Sequence, residues 1–390
     1  MKIAFVYDLI YPFSKGGVEK RVRDLASQLA ESGHEVHIYG TKQWDGPDII
    51  ESGGVLLHGV AGPLSIHGRS GARSIWQGLR VALGLTHRLL RDRYDVVDVQ
   101  NMAPLACLAT IAATKVKGST TIVTWHEVWR DYWISYIGWK GYVGKLAEWI
   151  IAKWAPNHVA VSRTTLSQLR ALGVEDARLI PNAVDCSTIE AVTPSSIAPD
   201  LLYVGRLVDH KNIDLLLDAL TQLKLHGASP KTVIAGDGPE RLRLETVAQT
   251  RGLDNVLFLG PVETDRSIYA IMKSAHVFVL PSMREGFGLA ALEAAAAGLP
   301  IVTVDSRHNA ALELVVGRTI GLVSPPTPIE FAAVLRRMIE DQALYTQLRD
   351  NALAVAREFD LPRVAFLAEG EYLSILNSKS AGEILLTPTG

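Results

Sequence analysis

An apolar run, a glycine-bearing loop, an amphipathic helix and a second apolar run open this chain, and the same order restarts past its midpoint. Lys2–Asp8 reads as a buried parallel strand. A loop with Lys15, Gly16 and Gly17 follows. Val22, Leu25, Ala26 and Leu29 then recur at helical spacing, Gly33 ends the helix, and His34–Tyr39 reads as the next strand. Strand, loop, helix, strand is a βαβ unit, and such units build parallel sheets covered by helices. Val96–Val99, Thr120–Thr124, Val159–Ser162 and Arg178–Ile180 continue the strands, with a helix over Leu105–Thr114.

Thr188–Pro199 carries two prolines, small polar residues and no strong period, so it is read as an interdomain linker. Strands at Leu201–Val204, Lys231–Ala235, Val256–Leu259, Val277–Leu280 and Ile301–Val304 then alternate with helices at Ile213–Leu225, Arg241–Arg251 and Gly288–Ala297. Three more helices follow, at Ile329–Ile339, Ala343–Glu358 and Val364–Leu376, before a frayed tail. At roughly 150 residues per domain, 390 residues hold two domains. The fold class expected is α/β: two facing Rossmann-like domains with an interdomain cleft, ligands lying at the carboxyl ends of the strands.

A net charge of −2 argues against bulk nucleic-acid binding. Cys107 and Cys186 make neither a disulfide framework nor a metal cluster, and suit a reducing cytosol. Asp8 interrupts the first apolar run too early for a secretion signal. The uncharged run Val99–Thr114 contains Gln100, Asn101 and Pro104 and falls short of a bilayer span. A soluble, cytoplasmic protein is expected.

The strongest chemical signal is Glu285-Gly286-Phe287-Gly288-Leu289-Ala290-Ala291-Leu292-Glu293, where a strand and loop hand over to a helix. Glycines let the backbone approach a ligand, and the free amides of a first helical turn attract an anion. Eight residues of helical rise place the two glutamates up to about 12 Å apart. That spacing suits a ligand with an anionic centre and hydroxyl-bearing rings at both ends, such as a nucleoside diphosphate sugar. A second signal is Gly205-Arg206-Leu207-Val208-Asp209-His210-Lys211, in which Arg206 and Lys211 can converge on a diphosphate. Gly236-Asp237-Gly238-Pro239 and Gly260-Pro261-Val262 end neighbouring strands; they hold a nucleobase or are plain turns.

Together with Lys15-Gly16-Gly17-Val18-Glu19, Trp125-His126-Glu127, Val161-Ser162 and Ile180-Pro181-Asn182-Ala183-Val184-Asp185, these segments resemble the family-4 retaining glycosyltransferases of the GT-B fold, the group 1 glycosyl transferases. The resemblance covers nearly the whole chain. It implies an N-terminal acceptor domain over residues 1–187, a linker at 188–199 and a nucleotide-sugar domain at 200–359. A C-terminal helix at 360–378 would pack back on the first domain, leaving a tail at 379–390. By position, Arg206 and Lys211 would hold the donor diphosphate, and Glu293 would bind the ribose hydroxyls. Glu285 would touch the donor sugar, and Gly288 and Leu289 would offer amides to phosphate. Gly236, Pro261 and Val262 would line the nucleotide site. Gly16 and Gly17 would lie near the diphosphate or acceptor, and His126 beside the transferred sugar. His126, Arg206, Lys211 and Glu285 form the implied catalytic set. Two departures stand out: Ser306–Glu313 lacks the family's frequent Gly-Gly before Pro-Glu, and Asn212 replaces a frequent Gly.

No Asp-x-Asp occurs in the chain, so neither a metal nor another cofactor is expected, and the cations and helix terminus would take the metal's place. The implied partners are a nucleotide-sugar donor and a glycan or lipid-linked acceptor. Trp125, Trp129, Trp133, Trp139, Trp149 and Trp154 crowd into thirty residues with Lys140, Lys145 and Lys153. That composition suits a membrane interface, with the protein peripheral on the cytoplasmic face, or else a packed core or a sugar-stacking surface. Two rivals are a nucleotide-sugar epimerase of the same fold and an NAD(P)-dependent oxidoreductase, since Gly286-x-Gly288-x-x-Ala291 matches the loose dinucleotide fingerprint. Against the latter, Glu285 would repel a pyrophosphate, and Pro281–Glu285 holds the glycines away from the strand.

Overall fold

The structure is a computed structural model that describes residues 1–62 and 75–385. It divides into two compact units, one of residues 1–182 with 361–390 and one of residues 183–360. The first runs β1 (Lys2–Val6), α1 (Gly17–Glu31), β2 (Glu35–Thr41), β3 (Ile49–Ser52), β4 (Val55–Ala61), α2 (Ile75–Leu89) and β5 (Val96–Gln100). It continues with α3 (Pro104–Lys117), β6 (Thr120–Trp125), α4 (Tyr132–Ile137), α5 (Gly141–Trp154), β7 (His158–Ala160), α6 (Arg163–Arg170) and β8 (Arg178–Leu179).

Its eight strands lie in the order β3-β4-β2-β1-β5-β6-β7-β8. β1, β5 and β6 are buried almost throughout, as strands covered on both faces must be. The expectation of a wholly parallel first half is corrected at one edge, where β3 pairs antiparallel with β4. Gly53 and Gly54 join them with φ of 60° and 76°, the left-handed pair that a two-residue hairpin needs.

The second unit holds α7 (Cys186–Glu190), β9 (Leu201–Val204), α8 (Ile213–Leu225), β10 (Thr232–Ala235), α9 (Arg241–Thr250), β11 (Val256–Gly260) and α10 (Asp265–Ser274). Then come β12 (Val277–Leu280), β13 (Arg284–Glu285), α11 (Leu289–Ala296), β14 (Ile301–Val304), β15 (His308–Asn309) and α12 (Leu312–Val315). β16 (Gly321–Ser324), α13 (Pro328–Glu340) and α14 (Gln342–Glu358) close it. Its parallel sheet runs β11-β10-β9-β12-β14-β16, the doubly wound order, with the topological switch point between β9 and β12. Leu216, Leu220, Ile234, Val279, Val302 and Phe331 are among the side chains that fill its core.

The expected linker at 188–199 is corrected. The chain already enters the second unit at Ala183: Val184 pairs with Asp360 and donates to the Phe359 carbonyl at 3.0 Å. Asp185 caps α7 by accepting from the Thr188 amide at 2.9 Å. The prolines do not free the segment, because Ser274 and Lys273 of α10 donate to the carbonyls of Ser195 (2.8 Å) and Glu190 (2.7 Å).

After Asp360 the chain returns to the first unit as α15 (Leu361–Leu385), packed along α1. Glu369 pairs with His34 at 2.9 Å and Glu371 with Arg178 at 2.8 Å. The helix continues to Leu385, through most of the expected tail; residues 386–390 lie outside the described residues. Among the described residues no helix is long and apolar enough to cross a membrane.

Candidate active site

In the second unit the sheet order brings the sequence-expected donor residues to one edge. β11, β10, β9 and β12 are neighbours, and their carboxyl ends lead into Pro261-Val262, Gly236, Gly205-Arg206 and Pro281–Glu285 respectively. Ligands of doubly wound sheets bind at such an edge, beside the switch point. The Tyr203 hydroxyl donates to the Arg206 carbonyl at 3.0 Å, under the turn. A side chain at Gly236 would run into the Gly205 carbonyl, and one at Gly238 into the Leu207 carbonyl. The glycines of Gly236-Asp237-Gly238 are therefore required for backbone packing that supports the Arg206 turn.

Lys211 Nζ lies 2.6 Å from Glu285 Oε1, with both side chains largely buried. The Arg206 guanidinium is exposed and has no acidic partner among the described residues. Burial pushes the His210 imidazole down to about 4, and the Lys211 charge beside it adds to the effect. His210 stays neutral at physiological pH, so Lys211 and Arg206 carry the positive charge of this turn. Asn212 caps α8 with φ 54° and ψ 45°, a left-handed conformation. Glycine and asparagine both tolerate it, which accounts for the replacement noted in the sequence.

Glu285 and Glu293 do not share one helix. Gly288 adopts φ 87° as N-cap, α11 begins at Leu289, and only that last stretch has helical rise. The 12 Å helical spacing is corrected accordingly. No side chain caps α11, which leaves the Leu289 and Ala290 amides for a ligand. A Cβ at Gly288 would come within 2.8 Å of Ala311 Cβ. Glu293 is buried at 8% exposure, and the Tyr269 hydroxyl of α10 donates to it at 3.3 Å. The Ser306–Glu313 segment, which carried no expected role, lies beside Glu285. β13 pairs with β15, Glu285 against Asn309, and the Ala310 amide donates to the Glu285 carbonyl at 2.9 Å. Asn309 is locked by bonds to Thr303 Oγ1 (2.9 Å) and the Val304 carbonyl (3.1 Å). Tyr269, Asn309 and buried Arg284 thus border the site, though sequence reading passed over them.

In the first unit Gly16 is the N-cap of α1, in extended conformation, and Gly17 opens the helix. Glu19 folds back over this end; Ser14 Oγ donates to its Oε1 at 3.2 Å, and a Cβ at Gly16 would meet the carboxylate. A carboxylate three residues past the cap is the usual partner of the first amides. His126 follows β6. Its Nε2 lies 2.9 Å from Gln100 Oε1, and its carbonyl accepts from Thr165 Oγ1 at 3.3 Å. Burial, with the Arg21 charge as a lesser cause, holds the imidazole down at about 3. At neutral pH it acts as a hydrogen-bonding group and carries no charge.

The tryptophans divide. Trp125 is fully buried, with its indole donating to His158 Nδ1 at 3.1 Å. Trp129 and Trp133 are half-buried, with ring centroids 4.6 Å apart. Trp139, Trp149 and Trp154 stand 76, 51 and 68% exposed. Glu148 of α5 is buried and accepts the backbone amides of Trp129 and Arg130, both at 2.8 Å, in the loop that begins at His126. Arg130 takes φ 45° there.

Two doubly wound units with cations, uncapped amides and paired carboxylates at the sheet edge of the second define a glycosyltransferase of the GT-B fold. Residues 15–188 match the model of Glycosyltransferase Family 4 and residues 190–355 that of the glycosyl transferases group 1, so the two matches nearly abut. The chain belongs to the family-4 glycosyltransferases. It is 29% identical over 320 residues to a phosphatidylinositol N-acetylglucosaminyltransferase subunit of Homo sapiens; the match takes in 77% of this chain and 61% of that longer relative. It is 28% identical over 353 residues to a GDP-mannose-dependent alpha-(1-6)-phosphatidylinositol dimannoside mannosyltransferase of Mycobacterium tuberculosis, with 87 and 88% covered. Its fold matches sucrose-phosphate synthase from Thermosynechococcus elongatus with a TM-score of 0.81 at 22% identity, covering 97% of this chain and 99% of the other.

Proposed function

We propose that this glycosyltransferase moves a hexose from a nucleoside diphosphate sugar to a lipid-linked acceptor at a membrane surface, with retention of configuration and without a metal ion. The outward face of α5 carries the acceptor assignment. Tyr142, Val143, Leu146 and Trp149 recur there at helical spacing and stand exposed, with Trp139 before them, Trp154 after them, and Lys140 and Lys153 alongside. Aromatic rings mixed with lysines favour the headgroup region of an anionic bilayer. The names of the human and mycobacterial relatives, both of which include phosphatidylinositol, support the same acceptor class.

Arg206, Lys211 and the α11 amides supply the donor chemistry, stabilising charge on the departing diphosphate. Glu293 holds the ribose, Glu285 and His126 bind sugar hydroxyls, and Gly236, Pro261 and Val262 border the base. The acceptor hydroxyl oxygen bonds to the anomeric carbon from the face the phosphate leaves. The bond from that carbon to the phosphate oxygen breaks, and that oxygen takes the hydroxyl's proton.

A thermal-shift panel of UDP, GDP and their sugars identifies the donor, since a specific ligand raises the melting temperature by mass action. With that donor the protein floats with phosphatidylinositol-containing liposomes, and turnover with excess EDTA equals turnover without it. Protein left wholly in the unbound fraction removes the membrane reading. Donor consumption without an acceptor favours the epimerase.

A further inference from the structure

Asp98, Gln100 and Tyr372 are buried polar side chains of the first unit, each at 2% exposure or less, and the reaction as written uses none of them. They form one chain of hydrogen bonds. The Tyr372 hydroxyl of α15 donates to Asp98 Oδ2 at 2.5 Å. Asp98 Oδ1 accepts the Thr124 hydroxyl at 2.7 Å and the Gln100 amide nitrogen at 2.8 Å. Gln100 Oε1 lies 2.9 Å from His126 Nε2. β5 carries Asp98 and Gln100, β6 runs beside it with Thr124 opposite Gln100, and His126 is two residues beyond Thr124. Arg21, also buried, offsets the Asp98 charge; its guanidinium donates to the Ile180 carbonyl and Asn182 Oδ1, both at 3.2 Å.

The donor and acceptor inventory fixes the proton positions. The Gln100 NH2 group faces Asp98 Oδ1 and also the Asp98 backbone carbonyl at 3.5 Å, which can only accept, so the amide nitrogen lies on that side. The Gln100 carbonyl therefore points at His126, and a carbonyl can only accept. His126 Nε2 must carry the ring hydrogen, and the lone pair resides on Nδ1, which makes no hydrogen bond among the described residues.

We propose that Gln100, held by Asp98 and through it by Tyr372, is a positioning residue that locks His126 in its Nε2–H tautomer so that Nδ1 accepts a hydroxyl hydrogen of the transferred sugar. This rests on the assignment of His126 to the sugar. It also narrows that assignment: a bare Nδ1 repels phosphate oxygens and receives a hydroxyl. α15, which begins 236 residues after β6 ends, becomes part of what orients the ring.

The test uses the full chain labelled with 15N-histidine, with His126 assigned by comparison with the His126→Ala variant. Long-range proton–nitrogen spectra of the wild type show the Nε2–H tautomer. Gln100→Met, close in shape but unable to accept, yields a tautomer mixture. Its kcat falls about 10- to 100-fold, the scale for losing the partner that orients a working imidazole, while the donor KM stays near wild type. Tyr372→Phe removes only the far end of the chain and gives a smaller kcat loss with a partial tautomer shift, which also serves if Gln100→Met does not fold. An Nδ1–H signal in the wild type, or a tautomer unmoved in both variants, overturns the proposal. Full activity in His126→Ala instead removes the sugar assignment, and the spectra distinguish the two failures.

Discussion

Both units bring polar groups to the carboxyl ends of parallel strands, but they do so by opposite means. In the second, Arg206 is exposed and the start of α11 has no side-chain cap, so charge and amides face outward for a ligand. In the first, Arg21, Asp98, Gln100 and His126 are buried, and Gln100 and His126 spend hydrogen-bonding groups on one another. Outward charge suits the departure of a diphosphate, whose negative charge must be met as it develops. An inward network suits the placing of a neutral ring, because each partner fixes the next. Under the function proposed above, donor chemistry would be electrostatic and carried on turns, whereas the surroundings of His126 are geometric and carried on strands.

The sharpest way to break that contrast is at the cations. Arg206→Ala and Lys211→Ala should each lower kcat by ~10²-fold or more, the effect of losing one charge-stabilising group, with the melting temperature nearly unchanged for Arg206→Ala. Steady-state kinetics on both variants checks this, and unchanged rates would end the electrostatic account of the second unit. A smaller effect follows from its backbone packing. Gly236→Ala, at φ 142° with the Gly205 carbonyl in the way of a Cβ, should cost on the order of 2 kcal/mol or more in chemical denaturation. Donor affinity should weaken with it as the Arg206 turn shifts.

The smallest effect contrasts the two units by acidity. Burial holds His58, His126 and His158 of the first unit at about 4, 3 and 4 and lowers His37 too; in the second unit it holds His210 at about 4 and lowers His276 and His308. Unfolded histidines protonate near 6.5, so between that pH and about 4 the unfolded chain binds more protons than the folded one. Stability is therefore lost as pH falls through this window. Burial also raises the Asp98 carboxyl, which opposes the trend with one group against four. Hydrogen exchange at pH 7 and pH 5 should show the first unit loosening more than the second; equal loosening would contradict the buried-network picture.

That the expected donor residues gather at one sheet edge was largely legible, because they lie in short contiguous runs. Arg206 and Lys211 lie five positions apart, Glu285 and Glu293 eight, and each run sits at a strand-to-helix handover. The network around His126 was not legible, because Tyr372 and Asp98 are 274 positions apart and neither stands in a motif. Gln100 was visible only as a polar interruption of an apolar run. The β13–β15 ribbon is two residues long per strand and leaves no periodicity to read. The Gly53-Gly54 turn was readable and passed over. Tryptophan composition alone could not separate Trp125, which fills the core, from Trp139, which faces outward.

Glu148 has a mechanical consequence. One buried carboxylate grips two consecutive amides, those of Trp129 and Arg130, only three and four positions past His126. α5 and that loop are thereby riveted, and the same helix displays the outward tryptophan Trp149. A displacement of α5 would therefore be passed to the backbone of the loop that leaves His126, as a lever passes on a load.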